Sequence, residues 1–252
     1  MKDIPKDIPT ELIQTLRAAK RVVVLTGAGT SAESGVPTFR DAQTGLWAKY
    51  DPKELATPRA FQRDPRLVWE WYTWRRELVA KASPNPGHLA LAKMQTYVPT
   101  LTLITQNVDG LHQQAGNQTV LELHGNITRS KCVKNNHIVN SWAPTDEVPP
   151  RCPHCGELLR PDVVWFGELL PEAVLEQAMQ VVKECDLVFS VGTSSVVEPA
   201  ASLPFEALRY GAKLVEINPD STPLTPYAHF VLYGKSGEIL PKLVESTWLI
   251  SS

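Results

Sequence analysis

The stretch "RVVVLTGAGTSAESG", Arg21 to Gly35, runs from a continuous β-branched segment into a glycine-rich turn and then into small polar residues. An apolar run without polar alternation reads as a strand covered on both faces, which is how parallel strands sit in α/β proteins. Gly27, Gly29 and Ala32 follow at the G-x-G-x-x-G/A spacing of dinucleotide binding. Glycines there let the backbone turn tightly and approach a pyrophosphate, which rests on the amides and dipole of the next helix. A hydride-transferring dehydrogenase would then show a second strand ending in Asp or Glu roughly 20 residues on. The region "FRDAQTGLWAKYD", Phe39 to Asp51, has no strand character. The expectation is a dinucleotide used otherwise than as a hydride carrier.

Outward from this strand, "LTLIT" (Leu101 to Thr105), "DLVFSVG" (Asp186 to Gly192) and "KLVEI" (Lys213 to Ile217) are comparable runs separated by helical patterns. Strands alternating with helices predict βαβ crossovers and an α/β, doubly wound parallel sheet. Upstream, Thr10 is placed to cap a helix whose apolar face is Leu12, Ile13, Leu16 and Ala19. Two segments break the rhythm. One runs from Val36 to about Ser83, with Asp64-Pro65 as the cap and first turn of a Trp-rich helix; the other, rich in Pro, Asn and Cys, runs from Asn126 to about Pro161. Both interrupt the sheet, so they are expected to pack together as one small lobe (approximately 36–83 and 126–161) beside a large lobe (approximately 1–35, 84–125 and 162–252).

Polar clusters stand where ligands of open α/β sheets gather, at strand exits. Gln106, Asn107 and Asp109 follow one strand, Gly192, Thr193 and Ser194 another, and Asn218 a third. His124, in "LELHGN", closes a further short strand and suits general-base work near neutral pH.

The chain of 252 residues is 43% apolar and 21% charged with a net charge of −2, which is ordinary for a globular protein. No block of like charge argues for nucleic acid, and no apolar run approaches the roughly 20 residues that span a bilayer. The start, "MKDIPKDIPT", leaves no room for a targeting peptide, and four cysteines, two as Cys152-x-x-Cys155, suit a reduced compartment and a metal site. A cytoplasmic location is expected, with no nucleic-acid or membrane partner.

"WEWYTWRRELV", Trp69 to Val79, places Tyr72 and Arg75 three residues apart, on one helix face among indoles. A guanidinium in an apolar pocket suits a carboxylate, because it grips bidentately and is weakly hydrated. The plain alternative is a helix whose tryptophans are core and whose arginines snorkel to water. Taken alone, the stretch favours the plain alternative.

Taken in order, "GAGTSAESGVPTFR", "TQNVDGLH", "LHG", "CPHCG", "RPDVVWFGE", "GTSSVVEPA" and "EINPD" resemble the sirtuins, NAD-dependent protein lysine deacylases, over about Val22 to Val244. The resemblance implies a Rossmann-like large domain and a small lobe built from two insertions, one a zinc-ribbon-like module. It implies that NAD is consumed, in agreement with the missing acidic strand end. It assigns the diphosphate to Gly27, Ala28, Gly29, Thr30 and Ser31, with Ala32 and Gly35 beside them and Phe39 and Arg40 on a covering loop. Gln106, Asn107 and Asp109 would line the nicotinamide and ribose subsites; Gly192, Thr193, Ser194 and Asn218 would take the adenosine half, and Ser236 also belongs to the cofactor set.

In the implied chemistry the acyl-lysine carbonyl oxygen attacks C1′ of the nicotinamide ribose, helped by Asn107, and nicotinamide leaves. His124 then activates a ribose hydroxyl, so that acyl-lysine proteins or peptides give free lysine and 2′-O-acyl-ADP-ribose. Val164 and Phe166, in "VVWFGE", would pair with the substrate backbone as an added strand. One subgroup, acting on succinyl-, malonyl- or glutaryl-lysine, carries Tyr-x-x-Arg, matched by Tyr72 and Arg75, and a small residue matched by Ala56. In that context the carboxylate reading of the Trp-rich helix overtakes the plain one, while Arg76 is expected to be a solvated neighbour.

Sirtuins hold a structural zinc on two Cys-x-x-Cys pairs. Here Cys132, Cys152 and Cys155 match, but Asn135 stands at the fourth place. Either His137 or His154 completes a Cys3His site, or zinc is weak or lost. Cys185 reads as an apolar filler. Protein ADP-ribosylation and non-catalytic NAD sensing are the alternative functions.

Overall fold

The structure is a computed structural model that describes residues 7–37 and 49–249. The elements run α1 (Thr10–Ala18), β1 (Arg21–Thr26), α2 (Ala28–Ala32), α3 (Pro52–Leu55), α4 (Pro58–Arg63), α5 (Pro65–Lys81), α6 (Pro86–Met94), β2 (Thr100–Thr105), α7 (Leu111–Gln114), β3 (Val120–Glu122), β4 (Gly125–Cys132), β5 (Ile138–Val139), β6 (Leu159–Val163), α8 (Glu172–Glu184), β7 (Leu187–Val191), α9 (Leu203–Arg209), β8 (Lys213–Asn218), β9 (Phe230–Tyr233) and α10 (Ser236–Val244).

Six strands form one parallel sheet in the order β3-β2-β1-β7-β8-β9. This is a doubly wound order that reverses between β1 and β7, the point at which such sheets bind ligands beyond their carboxyl ends. The continuous apolar run of β1 splits by the strand period. Val22 and Val24 join Leu12, Leu16, Leu91 and Leu240 on one face, and Val23 and Leu25 join Val182, Val188 and Leu203 on the other. Helix α1 starts differently from the expectation. Pro9 is the cap and Thr10 the first helical residue, with no side-chain cap bond. Proline already pre-sets the chain for helix entry and the threonine hydroxyl is not needed.

A second, antiparallel sheet has the order β5-β4-β6. Its central strand, "GNITRSKC", has the polar composition of a loop and was not foreseen as a strand. The ladder with β6 shifts register between Asn126 and Ser130, so part of β4 loses its strand partner. Arg76 from α5 supplies what the bulge lacks. Its Nε donates to Ile127 O at 2.6 Å, and its Nη2 donates to Arg129 O at 3.1 Å and Ser130 Oγ at 3.0 Å. The guanidinium also lies 5.0 Å from the Trp69 ring, and burial pulls its pKa down to about 10. Arg76 is therefore a strut between α5 and β4, not the solvated neighbour expected.

Leu55, Ala56, Phe61, Trp71 and Tyr72 from the first inserted segment share a core with Ile127 from the second, together with Val163 and Trp165. The sheets join at Gly125. Its φ is +77°, and a Cβ there would stand 2.2 Å from Asp162 O, so both conformation and space demand glycine.

Replacing Arg76 with Met should destabilise the protein by about 1.5–3 kcal/mol, since charged hydrogen bonds are lost and carbonyls are left without donors. Arg66 pairs with Glu70 on the exposed face of α5, so Arg66→Met should leave the urea midpoint near the wild-type value. Equal midpoints for the two variants would overturn the strut.

Candidate active site

Where the sheet order reverses, the turn after β1 is pressed onto the turn after β7. Gly29 N donates to Gly192 O at 2.8 Å, and Gly27 N to Val191 O at 3.1 Å. A Cβ on Gly29 would meet Gly192 O at 2.8 Å, and one on Gly192 would meet Thr30 N at 2.5 Å. A cavity of about 230 Å³ opens beside this contact, lined by Gly29, Ala32, Glu33, Gly192, Pro219 and Ser236 among others. Ile217 and Pro219 line it from the end of β8, and Asn218 between them donates its Nδ2 to Asp220 O at 3.1 Å. Ser236 opens α10 and donates to Glu33 Oε1 at 3.3 Å, while Ser194 is half-buried beyond Thr193. Ala32 is exposed, so it does not serve the close helix–sheet packing of the third fingerprint position.

Beneath the turn lies a buried polar network. Asn107 Nδ2 donates to Gly27 O at 3.0 Å and to Ser31 Oγ at 2.9 Å, tying the exit of β2 to the turn after β1. Gln106 Nε2 donates to Thr193 Oγ1 at 3.1 Å and so ties the same exit to the turn after β7. His88 Nδ1 accepts from Asn85 N at 3.3 Å, which leaves its ring proton on Nε2, 3.4 Å from Ser31 Oγ. Ser31 Oγ thus accepts from His88 and Asn107, and its own proton goes to Asp109. Burial raises the Asp109 pKa against the opposing Leu111 amide and Ser31 hydroxyl.

His112 Nε2 lies 3.0 Å from Thr26 Oγ1, which donates to Thr105 Oγ1 at 2.8 Å. Its ring proton is therefore also on Nε2. The two imidazoles are 4.7 Å apart, and burial depresses His88 to about 4 and His112 to about 3. Both are neutral at pH 7. Neither ring stands at a position that the sequence marks as functional. Their signal is the Thr26, Thr105 and Ser31 hydroxyls that the fold turns inward, and a linear pattern does not carry it.

His124 sits half-buried between β3 and Gly125, where the two sheets meet. Its Nδ1 lies 2.9 Å from Gln106 O. A carbonyl only accepts, so Nδ1 carries the proton and Nε2 keeps the lone pair a general base uses. Burial lowers its pKa despite the Gln106 carbonyl, which keeps the ring in its basic form at neutral pH.

The aromatic wall stands beyond His124. Tyr72 is buried and accepts a 3.1 Å hydrogen bond from Trp165 Nε1, and burial raises its hydroxyl to about 12. Arg75 is half-buried, 5.1 Å from the Trp71 ring, and burial lowers its pKa while Tyr72 opposes that effect. Ala56 is buried in the same cluster, and its carbonyl accepts from Phe166 N at 2.9 Å. Strand β6 ends at Val163, and beyond it the amides of Val164 and Phe166 donate to His124 O and Ala56 O, each at 2.9 Å.

In the small sheet, Cys132, His137 and Cys152 place one ligand atom each within 4.8 Å of one another. Cys155 Sγ is 3.4 Å from Cys132 Sγ, and His137 Nε2 is 3.1 Å from Cys152 Sγ. Bonds of about 2.3 Å to a tetrahedral zinc imply S···S edges of about 3.8 Å, so the set fits a Cys3His zinc site. His154 instead packs edge-on against the His137 ring at 5.0 Å. Asn135 contributes its backbone. Burial works against the Cys132 thiolate, but the amides of Asn135 and Lys134 and the Cys155 thiol outweigh it and lower the Cys132 pKa. When bound, zinc would join the Cys132 turn to the Cys152–Cys155 turn beside a small cluster of Trp69, Val139 and Leu159. Cys185 is buried, with its thiol pushed up to about 12, as an apolar filler should be.

Residues 27–199 match the Sir2 family. The chain belongs to it. The NAD-dependent protein deacylase 2 of Pyrobaculum aerophilum is 52% identical over 230 residues, covering 91% of this chain and 92% of that protein. Among solved structures, a Sir2 homologue in complex with NAD superposes with a TM-score of 0.89 at 48% identity, covering 97% of this chain and 96% of that one. A mutant Sir2 homologue in complex with 2′-O-acetyl ADP ribose gives 0.87 at 49% identity, covering 95% and 96%.

The Sir2 crevice brings together Gly27, Ala28, Gly29, Thr30, Ser31, Gln106, Asn107, Asp109, Gly192 and Thr193, with His124 at its edge. Tyr72, Arg75 and Ala56 stand in the neighbouring small-lobe wall. Gly35 lies past α2 at a positive φ of 78°. Phe39 and Arg40 lie outside the described residues.

Purified Sir2 protein should carry close to one zinc per chain by elemental analysis, and His137→Ala should retain less and melt lower. Asn135→Cys in the His137→Ala background should restore retention by returning a thiolate. Metal-free wild-type protein of unchanged melting temperature would refute a structural zinc.

A second test concerns protons. A free imidazole takes up a proton near 6.5, whereas buried His88 and His112 do so only near 4 and 3. The unfolded chain then binds more protons, so stability is full above about pH 6.5 and falls with pH down to those values. Between pH 6.5 and 5.0 the loss should be about 1.6 kcal/mol for each ring. Nitrogen NMR at pH 5.0 should find both rings neutral with the proton on Nε2, and two imidazolium signals would refute the network.

Proposed function

We propose that this Sir2 protein is an NAD-dependent protein-lysine deacylase that removes succinyl- and malonyl-type groups, and also acetyl, giving nicotinamide, free lysine and 2′-O-acyl-ADP-ribose. The observation that carries the acidic-acyl reading is that buried Tyr72 and Ala56 share one core with Trp165, with the half-buried Arg75 guanidinium beside it, 5.1 Å from the Trp71 ring. A distal carboxylate there meets a hydroxyl donor and a guanidinium in surroundings of low polarity, where charge-assisted hydrogen bonds are strongest. The small side chain of Ala56 leaves room for the longer acyl chain.

The residues divide the work by position. The turn Gly27–Ser31 cradles the diphosphate, Gly192, Thr193, Ser194 and Asn218 serve the adenosine half, and Ser236 belongs to the cofactor set. Gln106, Asn107 and Asp109 hold the nicotinamide ribose where the acyl oxygen can attack its anomeric carbon. Proximity in a dry crevice supplies much of the rate, because the developing positive charge meets a preplaced oxygen and no competing water. His124 takes the proton of a ribose hydroxyl on Nε2, while Gln106 O steadies the opposite nitrogen. The hydroxyl oxygen then attacks the imidate carbon, the lysine amine leaves carrying a proton, and a water molecule adds to that carbon so that its bond to the C1′ oxygen breaks and the acyl group stays on the 2′ oxygen. Neutral His88 and His112 act behind these residues, fixing Ser31 and the Thr26–Thr105 pair without adding charge.

The test is to incubate the protein with NAD and succinyl- or acetyl-lysine peptide and to follow nicotinamide and acyl-ADP-ribose by mass spectrometry. Arg75→Met should raise KM for succinyl-lysine about ten- to hundred-fold relative to acetyl-lysine, since only the acidic chain meets the guanidinium. His124→Ala should abolish acyl-ADP-ribose formation while NAD binding by calorimetry persists. Equal losses on both acyl groups would reject the carboxylate clamp, and ADP-ribosylated protein without acyl-ADP-ribose would favour transferase chemistry.

A further inference from the structure

We infer that Trp165 is a positioning residue for acyl-chain selectivity, acting through Tyr72: its indole N–H fixes the direction in which the Tyr72 hydroxyl points its proton. The inference rests on the acidic-acyl reading above and adds a residue to it.

Trp165 Nε1 is 3.1 Å from the Tyr72 oxygen, and both side chains are about 2% exposed. An indole nitrogen only donates, so the phenol must accept. A phenolic hydroxyl keeps its hydrogen near the ring plane, with two orientations of nearly equal energy. The incoming N–H occupies the side of one of them. The Tyr72 proton is thereby left on the other side, free to be given to a ligand. Without the indole donor, the hydroxyl would divide its time between two directions, and a carboxylate would have to select one on binding.

Trp165 is itself held on every side. The Arg160 guanidinium lies 3.3 Å from its ring centre, and the Phe61 ring is 5.2 Å away. Arg160 in turn grips Glu168 through both terminal nitrogens, at 2.5 and 2.9 Å. Glu168 Oε2 also accepts the Trp165 backbone N–H at 2.8 Å. A cation over the ring face draws electron density from the indole and makes its N–H a better donor. On either side of Trp165, Val164 N binds His124 O and Phe166 N binds Ala56 O. The indole donor is therefore placed by the same short segment that touches the proposed base and the acyl pocket.

The experiment compares wild type, Trp165→Phe, Tyr72→Phe and the double variant, each with succinyl- and acetyl-lysine peptides. Phenylalanine keeps one ring against Arg160 and Phe61 and removes the donor, and the loss of the second ring, a packing change, should weigh on both acyl groups alike. Trp165→Phe should lower the succinyl-over-acetyl ratio of kcat/KM about three- to ten-fold, the worth of one neutral hydrogen bond. Tyr72→Phe should lower it at least as far, and the double variant no further than Tyr72→Phe alone, because Trp165 has nothing left to orient.

An unchanged ratio in Trp165→Phe, or independent effects that multiply in the double variant, would overturn the inference. Proportional losses on both acyl groups would reduce Trp165 to packing. A wild type whose ratio is insensitive to Arg75→Met would remove the acidic-acyl reading itself. That outcome is separate from one in which Arg75→Met acts as expected and Trp165→Phe does not. Should Trp165→Phe fold poorly, Tyr72→Phe still tests the pair, since removing the acceptor should blue-shift the buried indole's emission if the bond exists, and no shift would count against it.

Discussion

The contact on which the active crevice depends is the one between two backbones that no side chain separates. Gly29 and Gly192 lie so close that a Cβ on either would collide with main-chain atoms of the other turn. The contact spans the place where the sheet order reverses, and it brings the exits of β1 and β7 against each other. Gln106 and Asn107, at the exit of β2, then reach both turns. The glycine fingerprint has two masters here. A pyrophosphate needs bare backbone, and the turns need it of each other whether or not a ligand is present. Substituting these glycines would thus disturb the crevice before any ligand arrived.

Behind that contact the tautomers of His88 and His124 follow from obligatory backbone donors and acceptors. Asn85 N forces the His88 proton onto Nε2, and Gln106 O forces the His124 proton onto Nδ1. The two histidines are set in opposite tautomers by their nearest backbone group. His88 becomes a donor toward Ser31, whereas His124 keeps a lone pair on Nε2. Desolvation holds both neutral, so the crevice places no fixed imidazolium beside a ribose that itself becomes positive. Burial is tolerable because these bonds pair the polar atoms they involve.

The large sheet was legible because its strands are buried on both faces and carry their burial as β-branched runs. The Asp64-Pro65 start of α5 was legible for a local reason: the Asp64 side chain accepts from Leu67 N at 3.0 Å. Strand β4 was not, since its interior is shared among a bulge, an arginine strut and metal-ligand chemistry in place of apolar side chains. Arg76 and Arg75 look alike in sequence. What separates them is that Arg76 faces unpaired carbonyls 51 and 53 residues further along the chain, a relation with no local signature. The Trp165 and Tyr72 pair, 93 residues apart, is hidden for the same reason. Asn135 misleads in the other direction. Spacing marks it as a lost ligand, while its amide still serves Cys132 and His137 comes round the same turn to the metal position.

The position of His124 ties these parts together mechanically. Its ring is bonded to the carbonyl of Gln106 on the large sheet, and its own carbonyl accepts from Val164 where the small sheet ends. The next residue, Gly125, has Asp162 O against its Cα and admits no other side chain without moving β6. A displacement of β6 would therefore pull on the histidine main chain while the ring stayed anchored to the large sheet. Two residues after Val164, Phe166 N is bonded to Ala56 O in the proposed acyl pocket. Filling that pocket and orienting the proposed base would then act on one five-residue stretch of chain, from Asp162 to Phe166. A poorly fitting acyl chain would be felt at the base through backbone hydrogen bonds, without direct contact between the two.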